Sequence, residues 1–354
     1  MALPDAPLTF PCGKTMRNRF MLAPMTNQQS HTDGTLSDDE CNWLVKRAAG
    51  GFGLVMTCAS HVQAQGQCWP GQLGIFADYH LEGHQRLTQA LQSQGSLAVV
   101  QLHHGGMRSP NELVGTTSVA PSENEPHEAR ALTPAEVASL RDDFIAAAVR
   151  ARQAGYDGVE LHGAHGYILC QFLSPESNLR TDHYGGSLAN RSRLLFEILE
   201  GIRTHCGADF LVGVRLSLER FGVVPEEMQA LSQQLIDSGQ VDFLDLSLWD
   251  TFQSTPNGTK LAYATGLDKK TVKVTVAGKI TGGAEVHQVL EAGIDFVTIG
   301  RSAILHHDFA RQVIRDPAFQ PVQLPVSPAY LKQEGLGEAF IDYMRRWPGF
   351  VAAD

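Results

Sequence analysis

Eight short apolar runs, separated by longer amphipathic stretches, constrain the fold of this chain more than any other feature. They cover residues 20–23, 54–58, 97–102, 158–162, 210–216, 243–247, 272–277 and 296–299. None alternates cleanly between apolar and polar positions, as expected of parallel strands covered on both faces. The clearest stretch between them, 134–154, places Val137, Leu140, Phe144, Ala148 and Ala151 on one helical face. Thr133-Pro134-Ala135-Glu136 opens it as a capping box with Pro at the first helical position, and Gly155 is placed to close it. Eight strands in βα alternation predict an α/β fold, a (β/α)8 TIM barrel. An open doubly wound sheet is the alternative, but no Gly-x-Gly-x-x-Gly follows an early strand. Residues 255–270, rich in Gly, Thr, Lys and Asn, read as a long loop in place of a full helix. No repeat or linker divides the chain, so one domain is expected over residues 1–354, with a C-terminal extension from about Ser327.

Composition removes several partners. Net charge is -10, with 28 Lys and Arg against 38 Asp and Glu, and no basic cluster tracks a phosphate backbone, so nucleic acid is not expected. No apolar run nears the roughly 20 residues that span a bilayer. The start has neither a basic nor an apolar signal region, and the six cysteines contain no C-x-x-C pair. Those features predict a cytoplasmic chain with reduced thiols.

A barrel of this kind carries its chemistry at the C-terminal ends of its strands. Those ends include Pro24-Met25-Thr26, Ala59, Gln101, the block His162-Gly163-Ala164-His165-Gly166-Tyr167, Arg215, Gly282-Gly283 and Gly300-Arg301. Gly282-Gly283 opens a helix, and Gly300-Arg301 adds a cation one strand later, a pairing suited to phosphate. Gln101 can both donate and accept, as a flavin pyrimidine edge requires. Arg215 can face the region where a reduced flavin gathers negative charge. His162, His165 and Tyr167 supply two donors and a phenolic acid, a set suited to polarising a carbonyl and delivering a proton.

Other readings compete. His162 and His165, with His103-His104 or His306-His307, could form a metal centre, although H-x-x-H lacks the Glu of H-E-x-x-H. Lys279 is the one obvious Schiff-base candidate for a flavin-free hydrolase or lyase. A catalytically silent flavin-binding protein would keep Gln101, Arg215 and Arg301 without using Tyr167. Gly13-Lys14-Thr15 fails as a phosphate loop because the first glycine of that motif would fall on Leu8.

The block 162–167, with 174–191 ending Ser187-Leu188-Ala189-Asn190-Arg191, closely resembles the active-site block of the old yellow enzyme family. The similarity runs from Asn18-Arg19-Phe20 to Arg301. It implies a barrel holding non-covalent FMN, contacted by Pro24, Met25, Thr26, Ala59, Gln101, Arg215, Gly282, Gly283, Gly300 and Arg301. It further implies that His162 and His165 bind a carbonyl oxygen and that Tyr167 protonates carbon. NAD(P)H and then an enone-type small molecule would use the site in a ping-pong cycle. Thr26 is similar to the classical subclass, whereas His165 is similar to the thermophilic-like one. Gln28 and Cys58 stand where Tyr and an acidic residue are common. Tyr343-Met344-Arg345-Arg346-Trp347 resembles a tail that some members insert into a neighbouring subunit, which implies a homo-oligomer.

Overall fold

All eight apolar runs form strands, and the strands close into a parallel barrel. They are β1 (Phe20–Leu22), β2 (Leu54–His61), β3 (Leu97–His103), β4 (Gly158–Gly163), β5 (Leu211–Ser217), β6 (Phe243–Ser247), β7 (Lys273–Ala277) and β8 (Phe296–Ile299). The structure is a computed structural model that describes residues 3–256 and 258–353. β2 runs three residues further than its apolar stretch suggests, because a register shift between Met56 and Ala59 lets it keep pairing with β3.

Helices cover the barrel: α1 (Asp38–Ala49), α2 (Leu81–Ser93), α3 (Pro134–Gln153), α4 (Arg193–Cys206), α5 (Pro225–Ser238), α6 (Leu261–Thr265), α7 (Gly283–Glu291) and α8 (Arg301–Leu305). At the start of α3, the Thr133 hydroxyl accepts from the Glu136 amide at 3.2 Å, and the Glu136 carboxylate accepts from the Thr133 amide at 2.8 Å. Gly155 follows the helix with φ +86°, the left-handed conformation a glycine tolerates best. In the weak unit after β6, a two-residue hairpin (Ser254–Thr255 with Gly258–Thr259) leads into the five-residue α6. Asn257, within the loop expected there, lies outside the described residues.

Two apolar layers divide the interior. Between strands and helices runs the larger core, from Trp43 and Phe144 to Phe309 and Phe340. Inside the barrel, Met21, Leu54, Met56, Val99, Leu211, Phe243 and Phe296 pack with Leu8, Phe10 and Met16. Those last three belong to an N-terminal hairpin, Leu8–Thr9 paired with Thr15–Met16. Phe10 lies 5.8 Å from Phe243 and 5.7 Å from Phe296 between ring centroids, so the hairpin plugs the N-terminal end of the barrel. Gly213 is required there, since a β-carbon would sit 2.1 Å from the Phe243 ring. The open end is the C-terminal one.

The chain after α8 folds back over that end. Buried Arg47 of α1 donates to the carbonyls of Ala303 in α8 and Glu334, and Phe340 packs against Trp43 at 5.3 Å. The helix Glu338–Arg345 is thereby held so that Tyr343 and Met344 face the barrel mouth. Among the described residues, no helix is long and apolar enough to cross a membrane.

Candidate active site

Parallel pairing builds a polar layer at the top of the barrel. Ala59 stands beside Gln101, and Gln101 beside Glu160. One step higher, His162 stands beside Arg215, Arg215 beside Asp245, and Asp245 beside Thr275. The Gln101 amide donates to Glu160 at 2.6 Å, and Thr275 and Thr298 share a hydrogen bond of 2.9 Å. Arg215 and Asp245 approach to 3.2 Å as an ion pair whose geometry is not a hydrogen bond. Burial raises the carboxyl groups of Glu160 and Asp245 above their usual range, while Arg215 opposes that shift in both. Glu160 Oε2 and Arg215 Nε have no hydrogen-bond partner among the described residues. Such groups are costly unless something completes them.

Beside this layer lies a cavity of about 320 Å3, within the range of small-molecule sites of about 300–1,000 Å3. Of the residues nominated from sequence, Pro24, Met25, Thr26, Arg215, Gly300 and Arg301 line it. Ser247, Trp249, Thr281, Thr298, Tyr343, Met344 and Trp347 complete much of the wall. Arg301 is exposed and makes no hydrogen bond or ion pair among the described residues. A β-carbon on Gly300 would meet nothing nearer than the Met25 sulfur at 3.8 Å, so space is open there. An uncommitted arginine beside open backbone suits a phosphate.

Gly282 and Gly283 are not in the cavity wall. The Gly282 amide donates to Glu285 at 3.0 Å, and the Gly283 amide to the Phe319 carbonyl at 2.8 Å. A β-carbon on Gly283 would lie 2.2 Å from the Pro317 carbonyl oxygen. The close crossing of segment 317–319 accounts for that glycine by packing alone. Ala59 and Gln101 also lie outside the wall, deeper in the polar layer.

The histidine–tyrosine block turns sharply after β4, with His165 at φ +60° and Gly166 at +71°. Ring centroids lie 5.1 Å apart for His162 and His165 and 4.9 Å for His162 and Tyr167; His103, considered from sequence only as a metal ligand, is 4.3 Å from Tyr167. Burial lowers the His162 imidazole far below its usual value and His165 to about 3, so both are neutral. The Ala164 amide donates to His162 Nδ1 at 3.3 Å, which puts the His162 proton on Nε2. Nε2 has no partner among the described residues and is a free donor. His165 Nε2 meets the Ser247 hydroxyl at 2.8 Å, joining the block to the cavity wall. Burial pushes the Tyr167 phenol to about 12, so it keeps its proton near neutral pH. Lys279, the Schiff-base candidate, is half exposed and ion-paired to Asp250 at 2.8 Å. No group of three or more His, Cys, Asp or Glu able to hold a metal ion occurs among the described residues.

The model of the NADH:flavin oxidoreductase / NADH oxidase family matches residues 6–318. The chain belongs to the old yellow enzyme family. A Bacillus subtilis (strain 168) protein named Probable NADH-dependent flavin oxidoreductase is 37% identical over 325 residues, 87% of this chain and 86% of that protein. An NADPH dehydrogenase of the same strain is 35% identical, over 84% of this chain and 90% of its own. The solved old yellow enzyme homologue from Zymomonas mobilis superposes with a TM-score of 0.80 at 27% identity, over 96% of this chain and 99% of its own. A 2-naphthoyl-CoA reductase superposes at a TM-score of 0.82 and 26% identity, but this chain spans 52% of it. As an old yellow enzyme the chain is a flavin oxidoreductase, with FMN held non-covalently and NADH or NADPH as reductant.

The donor set fits FMN. Arg301 and Gly300 would take its phosphate, and Pro24, Met25 and Thr26 would flank its ring. Gln101 and Arg215 would meet its polar edge from the layer below. Sequence reasoning missed Glu160 and Asp245, although a carboxylate in mid-strand, within Gly-Val-Glu-Leu-His and Phe-Leu-Asp-Leu-Ser, was a usable signal of a built polar layer.

Proposed function

We propose that the chain uses NAD(P)H to reduce the activated C=C bond of α,β-unsaturated carbonyl compounds, nucleotide and substrate occupying one mouth in turn. The observation that carries the reading is the neutral, partnerless Nε2–H of His162 within one ring contact of the protonated Tyr167. Bound FMN supplies hydride transfer. His162, with His165 beside it, donates to the substrate carbonyl oxygen and stabilises the negative charge that grows there. Neutral imidazoles are donors for this purpose without costing a buried charge. Tyr167 then gives its proton to the α-carbon as general acid. Its weak acidity suffices because an enolate is a strong base. We further propose a single-domain chain acting on small molecules in the cytoplasm, where its six unpaired cysteines stay reduced.

Stopped-flow half-reactions test the division of roles. Tyr167→Phe keeps the ring and loses the proton, so re-oxidation by an enone slows by about 10²–10⁴-fold while reduction by NAD(P)H persists. His162→Ala weakens the binding of phenols, which place an oxygen where the substrate carbonyl would lie. Equal slowing of both half-reactions in Tyr167→Phe, or normal phenol binding in His162→Ala, refutes the assignment.

A further inference from the structure

Arg108 lies on the short turn Gly106–Arg108 that follows β3, and its guanidinium carbon sits 4.7 Å from the centroid of the Tyr167 ring. The same group donates to the His165 carbonyl oxygen. An exposed arginine ordinarily sweeps through solvent, but this one is pinned at both halves of the histidine–tyrosine block. No carboxylate among the described residues lies within ion-pair distance of it. Of the cations that line the cavity, Lys279 is matched by Asp250 and Arg215 by Asp245, while Arg301 is unmatched. The imidazoles of His103, His162 and His165 are kept neutral by burial. Arg108 is therefore a fixed, uncompensated positive charge over the reacting cluster, in a chain of net charge -10. Its remaining N–H donors are free to grip a planar anion in two places, and its fixed position reduces the ordering cost of doing so.

We infer that Arg108 selects unsaturated carbonyl substrates that carry an anionic group, a carboxylate being the smallest, and anchors that group above Tyr167. The inference rests on the ene-reductase reading. NAD(P)H also carries anions, but its pyrophosphate lies beyond a ribose from the ring that reacts. Arg108 instead touches the ring of the residue that protonates the substrate, so its anion must sit within a small molecule's length of the reacting carbons.

The test compares (E)-4-oxopent-2-enoate with its methyl ester as oxidants of the reduced holoenzyme. The acid-to-ester ratio of second-order rate constants, taken on one sample, cancels differences in folding or flavin content. In Arg108→Gln this ratio falls about ten- to a hundredfold, the loss expected for a charged hydrogen bond. Arg108→Lys, which keeps the charge but loses the two-point grip, falls between the parent and Arg108→Gln. Added salt lowers the ratio in the parent but not in Arg108→Gln. An unmoved ratio in Arg108→Gln overturns the anion site while leaving the ene-reductase reading intact. The same holds if that variant loses only its rate of reduction by NADH and NADPH, since the anion is then the nucleotide's. Failure of the parent to turn over either compound overturns both readings.

Discussion

Arg301 and Arg215 both line the cavity, yet their surroundings predict opposite consequences of removal. Arg301 is exposed and uncommitted, so Arg301→Ala breaks nothing within the protein. The stability of the flavin-free chain should stay within about 0.5 kcal/mol. FMN, however, loses a charged hydrogen-bonding partner of about 1.5–3 kcal/mol, a dissociation constant raised about 10- to 150-fold. Arg215 is 6% exposed and paired with the fully buried Asp245. Its removal strands that carboxylate and should cost the flavin-free chain about 3–5 kcal/mol. Asp245 can limit this cost by staying protonated, because burial already raises its pKa in the fold. A carboxyl whose folded pKa is raised contributes stability below its unfolded value of 3.8 and loses it as pH rises through the folded one. Without Arg215 that folded value climbs further, so the penalty of Arg215→Ala is smaller at pH 5 than at pH 8. Urea unfolding of flavin-free protein at the two pH values, with FMN titration by fluorescence quenching, measures all three quantities. Destabilisation of the flavin-free chain by Arg301→Ala, or an unchanged FMN affinity, refutes the phosphate assignment. A pH-independent Arg215→Ala penalty refutes the account of the buried layer.

Two further outcomes follow from the same geometry. Thr26 lines the cavity and its hydroxyl has no partner among the described residues, so Thr26→Ala removes a donor that favours reduced flavin; the midpoint potential should become more negative in a dye-linked titration. Burial lowers eight histidines: His61 and His84 to about 4, His104 and His165 to about 3, His103 and His162 well below their usual value, and His80 and His306 as well. Their contribution is whole above pH 6.5 and lost as pH falls toward the folded values, by up to about 1.4 kcal/mol per pH unit for each. The buried carboxyls Glu40, Glu160 and Asp245 are raised and pull the other way, but they are three against eight. Denaturation midpoints should fall between pH 7 and pH 5, and flat midpoints across that window would refute the neutral-histidine description.

The strands were legible because a parallel strand covered on both faces must be apolar almost throughout, and that signal is local. The histidine–tyrosine block was legible for the same reason, being six consecutive residues. What stayed hidden depends on pairing between distant segments. Glu160 gains its meaning from Gln101, 59 positions away, and Asp245 from Arg215 on the next strand. The Gly282-Gly283 pair looks like an anion site until segment 317–319 is seen crossing it. At Cys58, where an acidic residue is common, the thiol faces the buried carboxylate of Glu40 from α1, which also accepts from Asn27. The tail's approach to the cavity depends on buried Arg47, which nothing near residue 343 announces.

The stretch 174–191 is, with 162–167, one of the two most specific parts of the resemblance, yet none of its residues lines the cavity. Its side chains tie backbone together. Asn178 donates to the carbonyls of Phe172 and Tyr184 at 2.8 Å each, and buried Arg191 donates to Leu173. Both Phe172 and Leu173 end the helix Ile168–Leu173, which begins at Tyr167. From the same helix the Gln171 side chain reaches back past its start, donating to the carbonyls of Gly166 at 2.8 Å and Gly105 at 3.1 Å and tying it to the turn that carries Arg108. Tyr167, the proposed acid, is thus fixed through a six-residue helix, and side chains remote from the chemistry hold the far end of it. A donor that must meet one carbon of a bound substrate loses rate steeply with small displacement. In the proposed reaction, that stretch therefore serves by positioning Tyr167 and Arg108 together, and it lines no part of the cavity itself.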